Sequence, residues 1–337
     1  MTTQPQPPAP SPTTTPTTPT PAPAPSPTTT PTPTRGLVEV VETPCSFFQI
    51  DGHRLDGVLH EPAGQDAAAG IVFAHGFGGT RGILAPGIAR ALAGRGGCAV
   101  LTFDYSGFGT SGGPRGRIDP VRQVRDCRAA VAWLRHERGL DGRVGVFGIS
   151  LGGAVAVEVA ATDASVPFAV GLNTWCDGER WMRDLRPHWR WLEVLDELRT
   201  DEVERLRTGT SRPVEPEWVM PRSPESEAFN LKLRDEHPER AFVLDVATVE
   251  LLRDFRPLDG AHRLAATARA LFVHCRTDCL VPWEHAADLA EATGGELLLL
   301  DGVAHYEVYE GRPFEQVMDA VHRCATGRAG PDDRKEP

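Results

Sequence analysis

Lysine is almost missing from this chain: of 35 basic residues only Lys232 and Lys335 are lysine, and the others are arginine. Positive charge is in deficit as well, with a formal net charge of −11. That balance excludes a general nucleic-acid or anionic-membrane partner, because phosphates need a cationic surface. No apolar run approaches the roughly 20 residues that cross a bilayer, so no membrane span is expected. Residues 1–34 lack bulky apolar side chains and are almost entirely Pro, Thr, Ala and Ser. Such a stretch cannot offset its chain entropy by burial, so residues 1–35 are expected to be a disordered, partly polyproline-like tail. Residues 2–34 also lack a charged n-region and a Leu/Val/Ile core, so no signal peptide is read there. Residues 327–337, charged and Gly/Pro-containing, are expected to be a second loose tail.

The cysteines lack any framework. Cys45, Cys98, Cys127, Cys176, Cys275, Cys279 and Cys324 are odd in number and scattered. Two of them, Cys98 and Cys275, fall in or directly beside expected buried strands. Reduced thiols and a cytoplasmic location are the expectation.

What is present is an alternating pattern across residues 36–326. An antiparallel pair is expected at Leu37–Ile50 and His53–His60, turning at Asp51-Gly52. Short apolar strands follow at Gly70–Ala74, Cys98–Phe103, Val144–Phe147, Val166–Leu172, Ala270–His274 and Glu296–Leu300. Helices fall between them at Ile83–Leu92, Pro120–Arg138, Leu151–Ala161, Glu284–Ala292 and Pro313–Ala325. In the second of these, Val121, Val124, Cys127, Val131 and Leu134 recur at spacings of three and four. Strand–helix alternation with continuous apolar strands implies an α/β fold with a mostly parallel sheet covered on both faces. Sites in such sheets form at the carboxyl ends of the strands. The alternation breaks at about 178–262, where Trp181, Trp189, Trp191 and Trp218 collect, with Trp175 just before. That stretch is expected to be a mainly helical insertion over the carboxyl edge, with a Pro-rich link at Pro213–Pro224.

The pattern G-x-S-x-G places a serine on a sharp strand-to-helix turn. It occurs twice, as Gly109-Thr110-Ser111-Gly112-Gly113 and as Gly148-Ile149-Ser150-Leu151-Gly152. Ser150 lies directly between a strand and a helix. Ser111 follows a Gly-rich loop and precedes Pro114, and reads as a flexible loop residue. A helix N-cap would explain a serine after a strand, but not the flanking glycines, so Ser150 is taken as the nucleophile.

A serine hydroxyl needs a base, and the base needs a carboxylate to orient it and stabilise its positive charge. Asp278 and His305 are the best-placed residues of their types after later strands. Asp301 reads as a turn residue before Gly302, and Asp177 lies further from its strand end. Acyl transfer also needs donors for the developing oxyanion: the Leu151 amide, and an amide of the loop His75-Gly76-Phe77-Gly78-Gly79, taken as that of Phe77. His75 is assigned a structural role in that loop.

These pieces together resemble the α/β-hydrolase superfamily. The matching segments are HGFGG at 75–79, DYSGFGTSGG at 104–113, GISLGG at 148–153, HCRTDCLVP at 274–282 and GVAHY at 302–306. The chain is similar to bacterial dienelactone-hydrolase and serine-aminopeptidase-like esterases, which carry a helical lid after the sixth strand. Cys275 departs from the usual Gly of that family's acid segment. The resemblance implies neither a metal nor an organic cofactor, and a structural loop around Asp104.

The expected activity is hydrolysis of a carboxylic ester or related acyl bond, such as a thioester or lactone, through an acyl-enzyme. The substrate is expected to be a small molecule, bulky or apolar if Trp175 and Trp181 contact it. The alternative is a tailoring enzyme of natural-product biosynthesis, performing acyl elimination or C–C cleavage on the same fold. A non-catalytic binding protein is the third reading. Oligomeric state is not legible.

Overall fold

The computed structural model describes residues 37–237 and 242–327. The expected tails therefore lie outside the described residues, apart from Gly327 at the end of the last helix. Two strands open the chain, β1 (Val40–Phe48) and β2 (Arg54–Pro62), paired antiparallel from Val40 opposite Pro62 to Phe48 opposite Arg54. Then come β3 (Ala69–Ala74), α1 (Ala85–Gly94), β4 (Cys98–Phe103), α2 (Pro120–Arg138), β5 (Val144–Ile149), α3 (Leu151–Thr162) and β6 (Phe168–Leu172). Every residue of β3, β4, β5 and β6 is buried. That is why these strands read as unbroken apolar runs: helices cover both faces.

α2 shows how local signals set an element. The Asp119 side chain caps it by accepting from the Arg122 amide, Pro120 sits at its first turn, and Gly139 closes it in the left-handed conformation. Its inward stripe of Val124, Cys127, Val131 and Leu134 is buried, and each Val or Leu so buried contributes about 1.5–3 kcal/mol. Val121, counted on that stripe from its spacing, is 53% exposed, because it falls in the first turn, on the helix's solvent side.

After β6 the chain leaves the sheet for α4 (Gly178–Asp184), α5 (His188–Thr208), β7 (Pro213–Val214), α6 (Pro216–Val219), α7 (Pro224–Glu236), β8 (Leu244–Asp245), α8 (Ala247–Arg253) and α9 (Pro257–Ala261). The Pro213–Pro224 stretch is therefore no plain link. It holds a strand paired antiparallel to β8 and a short helix, because proline is pre-organised for a first helical turn. Buried Asp201 ties α5 to β7, accepting from Arg205 Nε at 2.9 Å, Ser211 Oγ at 2.8 Å and the Arg212 amide at 2.7 Å. Arg117 holds Asp245 of β8 through Nε at 2.8 Å.

The chain returns to the sheet with β9 (Arg269–Cys275), α10 (Glu284–Thr293), β10 (Glu296–Leu300) and α11 (Gly311–Thr326). The eight main strands run in the order β1-β2-β4-β3-β5-β6-β9-β10. β2 pairs antiparallel with β4, and all pairs from β4 to β10 are parallel. Five parallel pairs thus align six carboxyl ends along one edge. Among the described residues no helix is long and apolar enough to cross a membrane.

Candidate active site

On that edge a one-residue turn joins β5 to α3. Ser150 is its single linking residue and is held at φ +52°, ψ −118°, a region that costs a non-glycine residue on the order of 1–3 kcal/mol. The flanking glycines make the turn possible. A Cβ on Gly148 would lie 2.0 Å from the Gly152 carbonyl oxygen, and one on Gly152 would lie 2.1 Å from that of Ala74. The Ser150 amide donates to the Leu172 carbonyl at 2.8 Å, and its carbonyl accepts from Thr174 Oγ1 at 3.1 Å. Strain at one residue is thus held by bonds to the neighbouring strand and the turn after it.

Asp278 lies just past β9. Its Oδ1 accepts from the amides of Leu280 at 2.8 Å and Val281 at 2.9 Å, while Oδ2 lies 2.5 Å from His305 Nδ1. Burial pushes the Asp278 carboxyl up. The charge and hydrogen bond of His305, with His274 and the Val281 amide, outweigh it and hold the group below its ordinary value. An ionised acid is therefore fixed against one ring nitrogen of His305. The neighbouring His274 is pushed down to about 4 by burial, so it stays neutral. Its Nε2–H donates to the Val281 carbonyl at 2.9 Å.

His305 sits on the loop after β10, and its carbonyl accepts from Asn173 Nδ2 at 3.2 Å. Asn173 Oδ1 in turn accepts from the Cys275 amide at 2.8 Å. One buried amide thus joins the ends of β6 and β9 to the loop that carries the imidazole. The sequence reading did not single out Asn173. The only sign along the chain is an Asn directly after an apolar strand; the structure holds it at φ +49°, and Asn is one of the few residues that tolerate the left-handed region. Cys275 itself is a buried strand residue, so the departure from Gly at this position leaves the turn at Asp278 intact.

Phe77 lines the same cavity as Ser150, and Leu151 opens α3. Among the described residues, no acceptor pairs with the amide of either one. His75 takes the structural role assigned to it. Its Nε2–H donates to the Phe103 carbonyl at 2.7 Å, and burial pushes it down to about 4.

Three other residues lie apart from this chemistry. Ser111 is not a flexible loop residue. It is 2% exposed, accepting from the Asp56 amide at 2.9 Å and donating to the Asp104 carbonyl at 2.6 Å. Asp301 pairs with Arg276 Nε at 2.7 Å on the surface. Asp177 caps α4 through the Arg180 amide at 2.9 Å.

Trp181 lines the cavity and donates its ring N–H to the Leu280 carbonyl at 3.0 Å. Trp175 does not line it. It is fully buried behind Trp181, stacked at 5.2 Å and 4°, with Phe255 edge-on at 5.9 Å. Tryptophan density alone does not separate a wall residue from the ring that backs it.

The cavity that holds Ser150 and His305 has a volume of about 420 Å³. Its floor is the sheet edge. Its far wall comes from the helical segment, with Met220, Phe229, Leu233 and Phe242 as apolar contributors. Arg222 also reaches the cavity, paired with Glu217 and, at 2.8 Å, with Glu227. Among the described residues no group of three His, Cys, Asp or Glu is placed to hold a metal ion.

The chain is similar to known proteins. The model of the alpha/beta hydrolase family matches residues 71–320. The "uncharacterized 31.7 kDa protein in traX-finO intergenic region" of Escherichia coli is 30% identical over 251 residues, spanning 73% of this chain and 86% of that protein. The quorum-quenching protein AidA of Acinetobacter baumannii is 26% identical over 281 residues, spanning 80% of this chain and 90% of its own. Among solved structures, DcsB in complex with its substrate analogue shares the fold at a TM-score of 0.72 and 20% identity, over 86% of this chain and 100% of that one.

Proposed function

The chain belongs to the alpha/beta hydrolase family, and on that premise we propose that it is a serine hydrolase cleaving a carboxylic ester or related acyl bond, such as a thioester or lactone. The observation that carries the reading is one constellation. An ionised Asp278 lies 2.5 Å from His305 Nδ1, and His305 shares a cavity with a serine held at positive φ on a strand-to-helix turn.

In this reading the His305 Nε2 takes the Ser150 hydroxyl proton as Oγ attacks the substrate carbonyl. Asp278 fixes the tautomer and stabilises the imidazolium without itself being protonated. The amides of Phe77 and Leu151 stabilise the oxyanion, each such donor being worth about 3–4 kcal/mol. His305 then protonates the leaving group, and water, activated by the same imidazole, releases the acid. The helical segment at about 178–262 acts as a lid, keeping bulk water from the acyl-enzyme. A cavity of about 420 Å³ with apolar walls at Trp181, Phe229 and Phe242 suits a small apolar acyl group.

A panel of ester, thioester, lactone and amide substrates, run against Ser150→Ala as the blank, tests the proposal. Turnover of at least one acyl class by wild type alone supports it, with mass spectrometry showing acid plus alcohol, thiol or amine, or the ring-opened hydroxy acid from a lactone. Equal turnover by the variant, or an alkene in place of the alcohol, refutes it.

A further inference from the structure

The loop that carries His305 is held from two directions. From the sheet side come Asn173, which bonds the His305 carbonyl, and Thr277, whose Oγ1 donates to the Val303 carbonyl at 2.7 Å. From the other side comes α7, part of the segment inserted between β6 and β9. Glu225, in the first turn of α7, accepts from the Tyr306 amide through Oε1 at 2.8 Å. Tyr306 is the residue directly after His305. One turn further along α7, Phe229 stacks on the Tyr306 ring at 4.1 Å and 17°, and that ring meets the His305 imidazole edge-on at 4.8 Å. The other Glu225 oxygen lies 4.0 Å from the sulfur of Cys279, next to Asp278. One half-buried carboxylate thus touches the loops of both the acid and the base.

We propose that Glu225 is a positioning residue for the base, and that the seating of α7 on Tyr306 sets the aim of the His305 ring. The inference rests on the reading of His305 as the general base. Its physical content is directional. A charge-assisted bond to the amide beside His305 fixes the backbone, and the Phe229–Tyr306 stack fixes the plane against which the imidazole leans. Phe229, Asn230 and Leu233 of the same helix line the cavity. A substrate that packs beneath α7 therefore presses on the element that aims the base, so occupancy and catalytic alignment are linked.

The test uses the full-length protein and a fluorophosphonate probe, so no natural substrate is needed. Labelling forms the Ser150 Oγ–P bond, expels fluoride and passes the hydroxyl proton to the base, so its rate reports the base's aim. Glu225→Ala is expected to slow labelling at saturating probe by between about tenfold and a hundredfold, the scale of a small misplacement of a catalytic group. The half-saturating probe concentration stays within about twofold, because the cavity walls are retained. Glu225→Gln keeps an oxygen to accept the Tyr306 amide and is expected to restore most of the rate. Should Glu225→Ala lower the melting temperature enough to obscure the result, Phe229→Leu removes the stack and is expected to slow labelling several-fold. Wild-type labelling rates in Glu225→Ala or Phe229→Leu overturn the proposal, as does a change in half-saturation alone. Failure of wild type to label at Ser150 is a different result: it overturns the serine and base assignments themselves, and the positioning role with them.

Discussion

Two turns of this chain carry the same pattern of glycine, serine and glycine, and they serve different ends. At 148–152 the serine takes the strain: Ser150 stands at φ +52° while the glycines give room. At 109–113 the glycines take it: Gly109 and Gly113 have φ of +50° and +98°, and Ser111 is absent from the positive-φ residues. The hydroxyls differ in the same way. That of Ser111 is used up between the Asp56 amide and the Asp104 carbonyl, whereas Ser150 faces the cavity shared with His305. A motif of this kind states where space is needed. Which atom is left reactive depends on which residue is forced out of its ordinary backbone conformation and what its side chain meets.

The widest gap between the turns is expected in activity. Ser150→Ala should lower kcat on the acyl substrate identified by the panel by on the order of 10⁴–10⁶-fold, with melting shifted by no more than a few degrees. Retained turnover would erase the contrast. Next in size is backbone crowding. Gly152→Ala puts a Cβ 2.1 Å from the Ala74 carbonyl, and should cost at least about 3 kcal/mol or prevent folding. In the other turn Gly112, which stands where Leu151 stands here, would place its Cβ 3.5 Å from Arg54 backbone atoms, so Gly112→Ala should stay within about 1 kcal/mol. Denaturant melts of both variants check this, and equal losses would contradict it.

The third effect is pH-dependent and joins the two turns, because His75 opens the loop facing Ser150 and bonds the Phe103 carbonyl before the Ser111 turn. Burial holds both His75 and His274 at about 4, against an ordinary 6.5. The unfolded chain takes up these protons first, so between pH 6.5 and about 4 it binds more protons than the folded chain. Stability should therefore fall as pH drops through that window, by up to about 1.4 kcal/mol per pH unit for each histidine. A melting temperature flat from pH 6.5 to 4.5 would contradict the neutral, buried state of both rings. The smallest effect on activity is that of Ser111→Ala, expected to cost about 1–3 kcal/mol of stability by leaving the Asp56 amide unpaired, with kcat of the folded fraction unchanged. A loss of kcat matching that of Ser150→Ala would return Ser111 to the chemistry.

Much of the sheet was legible because its signals are local. The sequence places β4 and α2 at the residues the structure finds, and β5 and α3 meet at Ser150 in both. Apolar runs, a Pro at a first turn and a Gly at a helix end act over a few residues. The helical segment was less legible. The Pro-rich link conceals β7 and α6, and Trp175 reads as a candidate contact although it backs Trp181 from within the core. Glu225 gives no sign along the chain, because its partner Tyr306 is 81 residues away.

The order of strand, serine turn, acid loop and histidine loop is a property of the sequence itself, because parallel crossovers send each strand end to the same edge of the sheet. The aim of each side chain is not. The 2.5 Å approach of Asp278 to His305, the Asn173 bond behind it and the Glu225 bond beside it close loops of 27, 132 and 81 residues. Such contacts are short-ranged in space and long-ranged in sequence, so only the packed tertiary structure decides them.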